Sequence, residues 1–447
     1  MDIAFLLNGQ PVRTSVSDPH TTTLNWLRSQ GHVGSKEGCG EGDCGACTAV
    51  MAEWIEGQVV LSPVNTCIQL LMRLNGRALI TIEGVKQTQL HEQLVEQHAS
   101  QCGFCTPGFV MSLYYGINAA PPANRQEACD LIAGNLCRCT GYQGLIRVAM
   151  GLETLPKQSF ESLRQGLLTL NAPTHEWHPK TLEEALQLRA RHPDAQVVAG
   201  NTDVGLWITK RQQRFEQVLM LHEVASLAEI RQTPERIECG AMVTYAAALP
   251  LLIQTWPQSE RYLKRIGSTQ VRAAGTLGGN LANGSPIGDM PPMLIALQAQ
   301  VVLANAAGSR SVNLQDFFVE YGVQDLASDE LLIRIDIPKT DRRLHCAKLS
   351  KRADQDISAV SLGLSGRVQD GRLLDPIVAM GGMAGIPKRA HHLEQEINGK
   401  PLEHIDFSVL AQDFQPLSDA RASAEYRMKA AQGMVKRGLM DLLERPA

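Results

Sequence analysis

The sequence predicts an α+β multidomain protein, and three observations carry that expectation. Nine of the eleven cysteines fall in the first third of the chain, eight of them in two sets of four. Hydrophobic residues alternate up to about residue 84 and then recur at helical spacing to about residue 155, so a strand-rich unit gives way to a helical one. From about residue 174 the two periods mix, with two glycine-rich turns. At 447 residues, and with a soft norm of roughly 150 per domain, about three domains are expected.

Residues 1–84 read as a small α+β unit. Ile3 to Leu7 alternates like a strand, and Asn8-Gly9 is the strongest short hairpin signal. Gln10 to Ser15 makes the return strand, and a helix follows from Thr23 to Ser29. Thr48 to Trp54, Gln58 to Leu61 and Arg77 to Ile82 supply the remaining strands. This pattern resembles the β-grasp fold of plant ferredoxins. Between helix and strand lies Cys39-x4-Cys44-x2-Cys47, with Cys67 further on, which is the spacing of a plant-type [2Fe-2S] site. Four thiolates suit two irons, each of which takes two protein sulfurs beside its bridging sulfides. Glycines 38, 40, 42 and 45 let backbone N–H groups approach and donate to those sulfurs. Zinc and disulfides are the alternatives. Zinc knuckles seldom use this spacing in a glycine-rich loop, and disulfide frameworks belong to short secreted chains. Gly40 to Gly45 also fits G-x-G-x-x-G, but no helix with a ribose-binding acid follows and cysteines occupy it, so a nucleotide reading is rejected.

Residues 85–155 carry the second set, Cys102, Cys105, Cys137 and Cys139. A C-x2-C pair with a C-x-C pair is ambiguous alone, and a second binuclear cluster is the expectation beside the first. Leu90, Leu94 and Val95 are expected on one helix face, Pro107 opens a helix, and Asn124 caps Arg125 to Ile132. Leu145 to Leu152 is the fourth helical piece. Cys129 reads as a small buried hydrophobe. Residues 156–173, bounded by prolines, read as a linker, part helical from Phe160 to Leu168.

In residues 174–345, Thr181 caps an amphipathic helix. The strand Val197-Val198-Ala199 then runs into Gly200-Asn201-Thr202-Asp203-Val204. A second glycine turn spans Gly275 to Asn280. Such turns present N–H groups to phosphates, although glycine turns are also common punctuation. Residues 346–447 form a last α+β segment, with strands at Val360 to Leu364 and Ile377 to Met380 and helix from Leu402 onward.

Glu37 to Cys47, Gln101 to Gly108 and Gly134 to Tyr142 resemble the molybdenum hydroxylases, the family of xanthine dehydrogenases, aldehyde oxidases and carbon monoxide dehydrogenases. The resemblance covers nearly the whole chain, and all eight cysteine positions match. It implies two [2Fe-2S] clusters, one in a ferredoxin domain (1–84) and one in a four-helix domain (85–155). It further implies an FAD domain (174–345) of the vanillyl-alcohol-oxidase type and a C-terminal flavoprotein domain (346–447). Val197 to Val204 and Thr276 would line the FAD pyrophosphate and ribityl chain. Ile266, Asp289, Leu332 and Lys348 match further flavin contacts. The molybdopterin domains are not in this sequence. The chain therefore resembles the small subunit of the bacterial xanthine dehydrogenases, with the molybdenum cofactor on a large partner subunit and a dimer of heterodimers as precedent. Electrons from oxidation of hypoxanthine or xanthine to urate would pass to FAD and then to NAD. Lys351 and Arg352, in a loop beside the flavin of this family, are candidates for the dinucleotide phosphates. Other family members acting on aldehydes or N-heterocycles, a stand-alone diaphorase, and a redox sensor without flavin are the competing readings. No catalytic acid or base is expected in this chain.

The net charge of −4 and the absence of a basic stretch argue against nucleic acid or an anionic membrane as partner. No apolar run reaches the ~18 residues of a membrane span. The N-terminus lacks the pattern of a signal peptide, and thiol-rich composition suits a reducing compartment, so the cytoplasm is expected.

Overall fold

In the computed structural model, which describes residues 1–444, Asn8 and Gly9 turn the first hairpin with φ of 52° and 82°. The hairpin joins β1 (Asp2–Leu7) to β2 (Gln10–Ser15). Then come α1 (Thr23–Ser29), β3 (Thr48–Ile55), β4 (Gln58–Asn65) and β5 (Ala78–Ile80). The sheet order is β2-β1-β5-β3-β4, with β1 and β5 parallel. Thr22 caps α1, accepting the Asn25 N–H at 3.2 Å. Ile3, Phe5, Leu27, Met51 and Leu79 form the core beneath α1. This is the expected β-grasp, with β4 longer and β5 shorter than the sequence suggests. Thr81 leaves the ladder because its amide donates to the Asn8 side chain at 2.8 Å.

Five helices follow, α2 (Thr88–Glu96), α3 (Thr106–Asn118), α4 (Arg125–Ile132), α5 (Gln143–Met150) and α6 (Glu161–Thr169). Phe109, Leu113 and Tyr114 of α3, which is buried nearly all round, pack with Leu145 and Val148 of α5 in one core, joined by Leu6, Val50 and Ala52 of the sheet. Asn124 caps α4 as expected, accepting the Glu127 N–H at 3.0 Å. Val95 does not share the face of Leu90 and Leu94. It is 75% exposed, because one residue beyond Leu94 turns about 100° around the helix. Residues 156–173 hold α6, whose Leu163 and Leu167 join the same core.

The chain divides into two compact units. The first holds residues 1–178 together with 200–218 and 267–275. The second holds 179–199, 219–266 and the described residues from 276 onward. In the second, Thr181 and Glu184 form a capping box for the helix Leu182–Arg191. An antiparallel five-stranded sheet is built on Leu331–Pro338, flanked by Gln300–Asn305 and Arg236–Gly240. A four-stranded sheet is built on Val360–Gln369 and Arg372–Gly381, both longer than expected. The helix Ala424–Glu444 packs its Ala431, Val435 and Leu439 into the core of that sheet. Between Leu402 and Ala424 helix is confined to two single turns and the four-residue helix Leu410–Asp413, so the C-terminal stretch is less helical than expected. Among the described residues no helix is long and apolar enough to cross a membrane.

Candidate redox centres

The first four cysteines converge. The thiols of Cys44 and Cys67 hydrogen-bond to Cys39 and hold it far below the ordinary thiol range, while the same contacts push Cys44 and Cys67 up. Cys47 is lowered by its contact with Cys67. Three backbone N–H groups, of Glu41, Asp43 and Cys44, donate to Cys39 Sγ at 3.3–3.4 Å. The Cys39 N–H donates to Cys44 Sγ at 3.3 Å. Four clustered sulfurs ringed by N–H donors fit an anionic iron–sulfur core better than a tight zinc tetrahedron. Cys47 and Cys67 are buried, and none of the eight candidate ligands forms a disulfide.

The second set also comes together. Cys105 contacts Cys137, and Cys139 contacts Cys102. Burial, reinforced by Cys137, pushes the Cys105 thiol up to about 12. Burial also opposes ionisation of Cys137, but donors led by the Thr140 hydroxyl, 3.3 Å from its sulfur, outweigh it and lower the thiol. Cys105 directly precedes α3, and the loop carrying Cys137 and Cys139 leads into α5. Cys102 and Cys139 are exposed, in contrast to Cys47 and Cys67.

The loops of the two sets are joined. The Leu136 N–H donates to the Cys44 carbonyl at 2.9 Å. The Asn135 side chain donates to the Gly45 carbonyl at 3.0 Å and accepts the Ser112 hydroxyl at 2.6 Å. Into this junction reaches Gln270, 1% exposed, donating to Thr48 Oγ1 at 3.0 Å and Ser112 Oγ at 3.3 Å. Sequence reasoning misses Gln270. Its partners lie far away along the chain and leave no local pattern, whereas Asn135 sits inside one of the cysteine motifs.

The expected flavin residues divide between the units. In the first, Asn201 takes a left-handed φ of 61°, and Val204 opens the short helix Val204–Thr209. The Asn201 amide donates to the Ile68 carbonyl, one residue past Cys67, while its Oδ1 is buried without a partner. Burial raises the Asp203 carboxyl. In the second, Val197 and Val198 form the strand Gln196–Val198, with Ala199 next. Thr276 caps the helix Leu277–Asn283, its hydroxyl accepting the Gly279 N–H at 3.0 Å. A side chain at Gly279 would lie 2.8 Å from that hydroxyl and 3.5 Å from Ala199 Cβ, so glycine lets the helix start pack close to Ala199. Nearby Asn280 Oδ1 is buried and unpartnered. Asp289 and Lys348 meet as a buried ion pair at 2.6 Å, and the Ser358 hydroxyl bonds the other carboxylate oxygen at 2.5 Å. Ile266 and Leu332 lie in the apolar core of the second unit. The Thr276 cap and the orphaned Asn280 amide oxygen of the second unit fit the polar parts of a flavin dinucleotide.

Comparison with known proteins accounts for the same chemistry. Residues 5–68 match a 2Fe-2S iron-sulfur cluster binding domain and residues 81–150 a [2Fe-2S] binding domain. Residues 172–340 match the FAD binding domain in molybdopterin dehydrogenase, and 345–442 the CO dehydrogenase flavoprotein C-terminal domain. The chain is 30% identical over 485 residues to the xanthine dehydrogenase of Drosophila pseudoobscura pseudoobscura, covering 90% of this chain and 36% of the relative. It thus spans about a third of the length of the curated relatives it matches. Reconstituted CO dehydrogenase from Oligotropha carboxidovorans is similar in structure, with a TM-score of 0.57 and 25% identity, covering 60% of this chain and 97% of that one. Quinoline 2-oxidoreductase from Pseudomonas putida 86 gives 0.55 and 27%, over 60% and 95% of the two chains. Two sets of converging thiols and a flavin domain of this descent leave one conclusion: the chain belongs to the molybdenum hydroxylase family, as its iron–sulfur and FAD part, and carries two [2Fe-2S] clusters and FAD.

Proposed function

We propose that the chain is the electron-transfer subunit of a xanthine dehydrogenase. It takes the electrons of hypoxanthine or xanthine oxidation from a molybdenum cofactor on a separate large subunit and passes them to NAD. One observation carries the reading. The match to a xanthine dehydrogenase runs through 90% of this chain, whereas 60% of this chain suffices to cover 97% of the CO dehydrogenase chain. Clusters and flavin joined in one polypeptide favour the xanthine-type arrangement.

When bound, the clusters supply one-electron transfer and FAD supplies transfer of electron pairs. The chain's own part is to hold, space and shield these groups. Cys102, Cys105, Cys137 and Cys139 hold one cluster at an exposed edge, which favours electron entry there. Cys39, Cys44, Cys47 and Cys67 hold the other in a more buried setting, and the Leu136–Cys44 hydrogen bond links the two loops directly. Thr276, Asp289, Lys348 and the Val197–Val204 stretch are the residues assigned to FAD, with Ile266 and Leu332 as apolar contacts. Proton chemistry at the purine belongs to the partner subunit.

The test is co-purification with the large subunit, from cytoplasm, as a dimer of heterodimers. Iron, flavin and molybdenum are counted, and NADH formation is followed with xanthine. A complex that reduces NAD with an N-heterocycle but not with xanthine would replace this reading by the second one, which the quinoline 2-oxidoreductase likeness favours.

The loop from Ser350 to Ile357 is the proposed approach for NAD. Arg265 braces it, donating to the Ala353 carbonyl at 2.8 Å and Ser350 Oγ at 2.7 Å. Lys351 is exposed and donates to the Ala420 carbonyl at 2.8 Å, and Arg352 faces Asp356 at 3.8 Å. Replacing Lys351 and Arg352 by glutamine should raise KM for NAD roughly tenfold, about 1.4 kcal/mol of lost phosphate contact, and leave dye-linked turnover intact. Steady-state kinetics with both acceptors checks this, and an unchanged KM rejects the loop.

A further inference from the structure

We propose that Lys210 is a positioning residue for the first iron–sulfur cluster, and that its ammonium on the Cys39 carbonyl raises that cluster's reduction potential. The inference rests on the cluster reading above. Lys210 Nζ donates directly to the backbone carbonyl of Cys39, the same ligand whose sulfur receives three N–H groups. Its nearest carboxylate, Glu41, is further off, with Nζ to Oε2 at 3.8 Å.

Lys210 is 44% exposed in its side chain, yet its backbone is fixed. Its N–H closes the helix Val204–Thr209 by bonding the Leu206 carbonyl at 2.8 Å. That helix is pinned to the loop after Cys67. Asn201 donates to the Ile68 carbonyl, and a side chain at Gly205 would sit 2.5 Å from the same oxygen. Beyond Lys210, the Phe215 N–H donates to His20 Nε2 at 2.9 Å, and His20 Nδ1 is bonded to Asp18 at 2.7 Å. Segment 200–218 is therefore tied to the first unit at both ends, and Lys210 is carried over Cys39.

Reduction adds one negative charge to the cluster. A cation at a ligand's carbonyl stabilises the reduced form more than the oxidised form, so its removal lowers the potential. Glu41 acts with the opposite sign. Part of each effect is screened because both side chains reach solvent.

The experiment is an EPR-monitored redox titration of the purified complex, with iron and FAD counted in each variant. Lys210→Met should shift the oxidised-to-reduced ratio of the ferredoxin-type cluster about threefold to tenfold toward oxidised at fixed potential, at 59 mV per tenfold for one electron. Lys210→Arg should restore the wild-type value, and Glu41→Gln should shift the ratio the other way. The second cluster should not move, and the Lys210→Met shift should shrink at high salt. An unmoved first cluster overturns the proposal, and so does an equal shift in Lys210→Arg, which would mark a purely structural role. Should Lys210→Met lose iron, the Glu41→Gln arm alone decides the sign. A wild-type complex without any cluster signal would defeat the cluster reading itself, a different outcome from an intact signal with unmoved potential.

Discussion

Gly45→Ala should empty both iron–sulfur sites in one step. Gly45 lies between Cys44 and Cys47 with a φ of +68°, where an L side chain costs about 1–2 kcal/mol. Crowding costs more. Its Cβ would lie 2.1 Å from the Gly134 carbonyl oxygen, 2.6 Å from Asn135 Nδ2 and 3.0 Å from Asn135 Cα. These belong to the loop that carries Cys137, and a backbone oxygen cannot swing aside as a side-chain end can. From the other side, a Cβ at Gly108 would lie 2.2 Å from the Gly45 carbonyl, so α3 presses on the same peptide. The two loops would have to part, breaking the Asn135–Gly45 and Leu136–Cys44 hydrogen bonds. Together the cost is upwards of ~3 kcal/mol, in the range reserved for overpacked interiors. The measurement is iron per FAD, with thermal melting. FAD should stay bound while iron falls at both sites. Gly57→Ala is the control, since Gly57 has φ +82° and open space around it. Normal iron and an unchanged melt in Gly45→Ala would refute the account.

Lys348→Met should destabilise the second unit by roughly 3–5 kcal/mol, the cost of stranding one member of a buried pair. The Lys348 side chain is 2% exposed and that of Asp289 11%. Without the ammonium, the carboxylate keeps only the Ser358 hydroxyl and its own backbone surroundings. Lys348 also donates to the Arg265 carbonyl at 3.3 Å, so the substitution loosens the arginine that braces the proposed NAD loop. FAD should be retained poorly, and the melting temperature of the flavin-free protein should fall as well. That second readout separates a packing fault from a lost flavin contact. Lys348→Met with Asp289→Asn should recover part of the loss, because the buried charge is then gone. A double variant no better than the single would show that the pair's charges do not matter.

The residues behind these two effects differ in how far the sequence reveals them. The cysteine spacing, the Asn8-Gly9 hairpin and the caps at Asn124 and Thr181 are readable because each is local chemistry. The residues that must cooperate sit within a few positions of one another. Family resemblance picks out Asp289 and Lys348 one by one, but nothing in the sequence says that they neutralise each other. The Gln270 junction and the Lys210 contact span still greater separations, where only the folded chain supplies the neighbour. Val95 falls off its face because a residue next to Leu94 in sequence is about 100° away around the helix, a rotation that a list of apolar residues does not display. The stretch 156–173 is bounded by prolines, yet Leu163 and Leu167 within it bury themselves, and burial outweighs boundary signals.

Segment 200–218 bears on how the protein is made. The Lys210 bond to Cys39 spans 171 positions, and the Asn201 bond to Ile68 spans 133. During synthesis the ferredoxin cysteines emerge long before the polypeptide that later lies across their loops. The bonds from Asn201 and Lys210 to those loops therefore cannot form until the ribosome has passed residue 210.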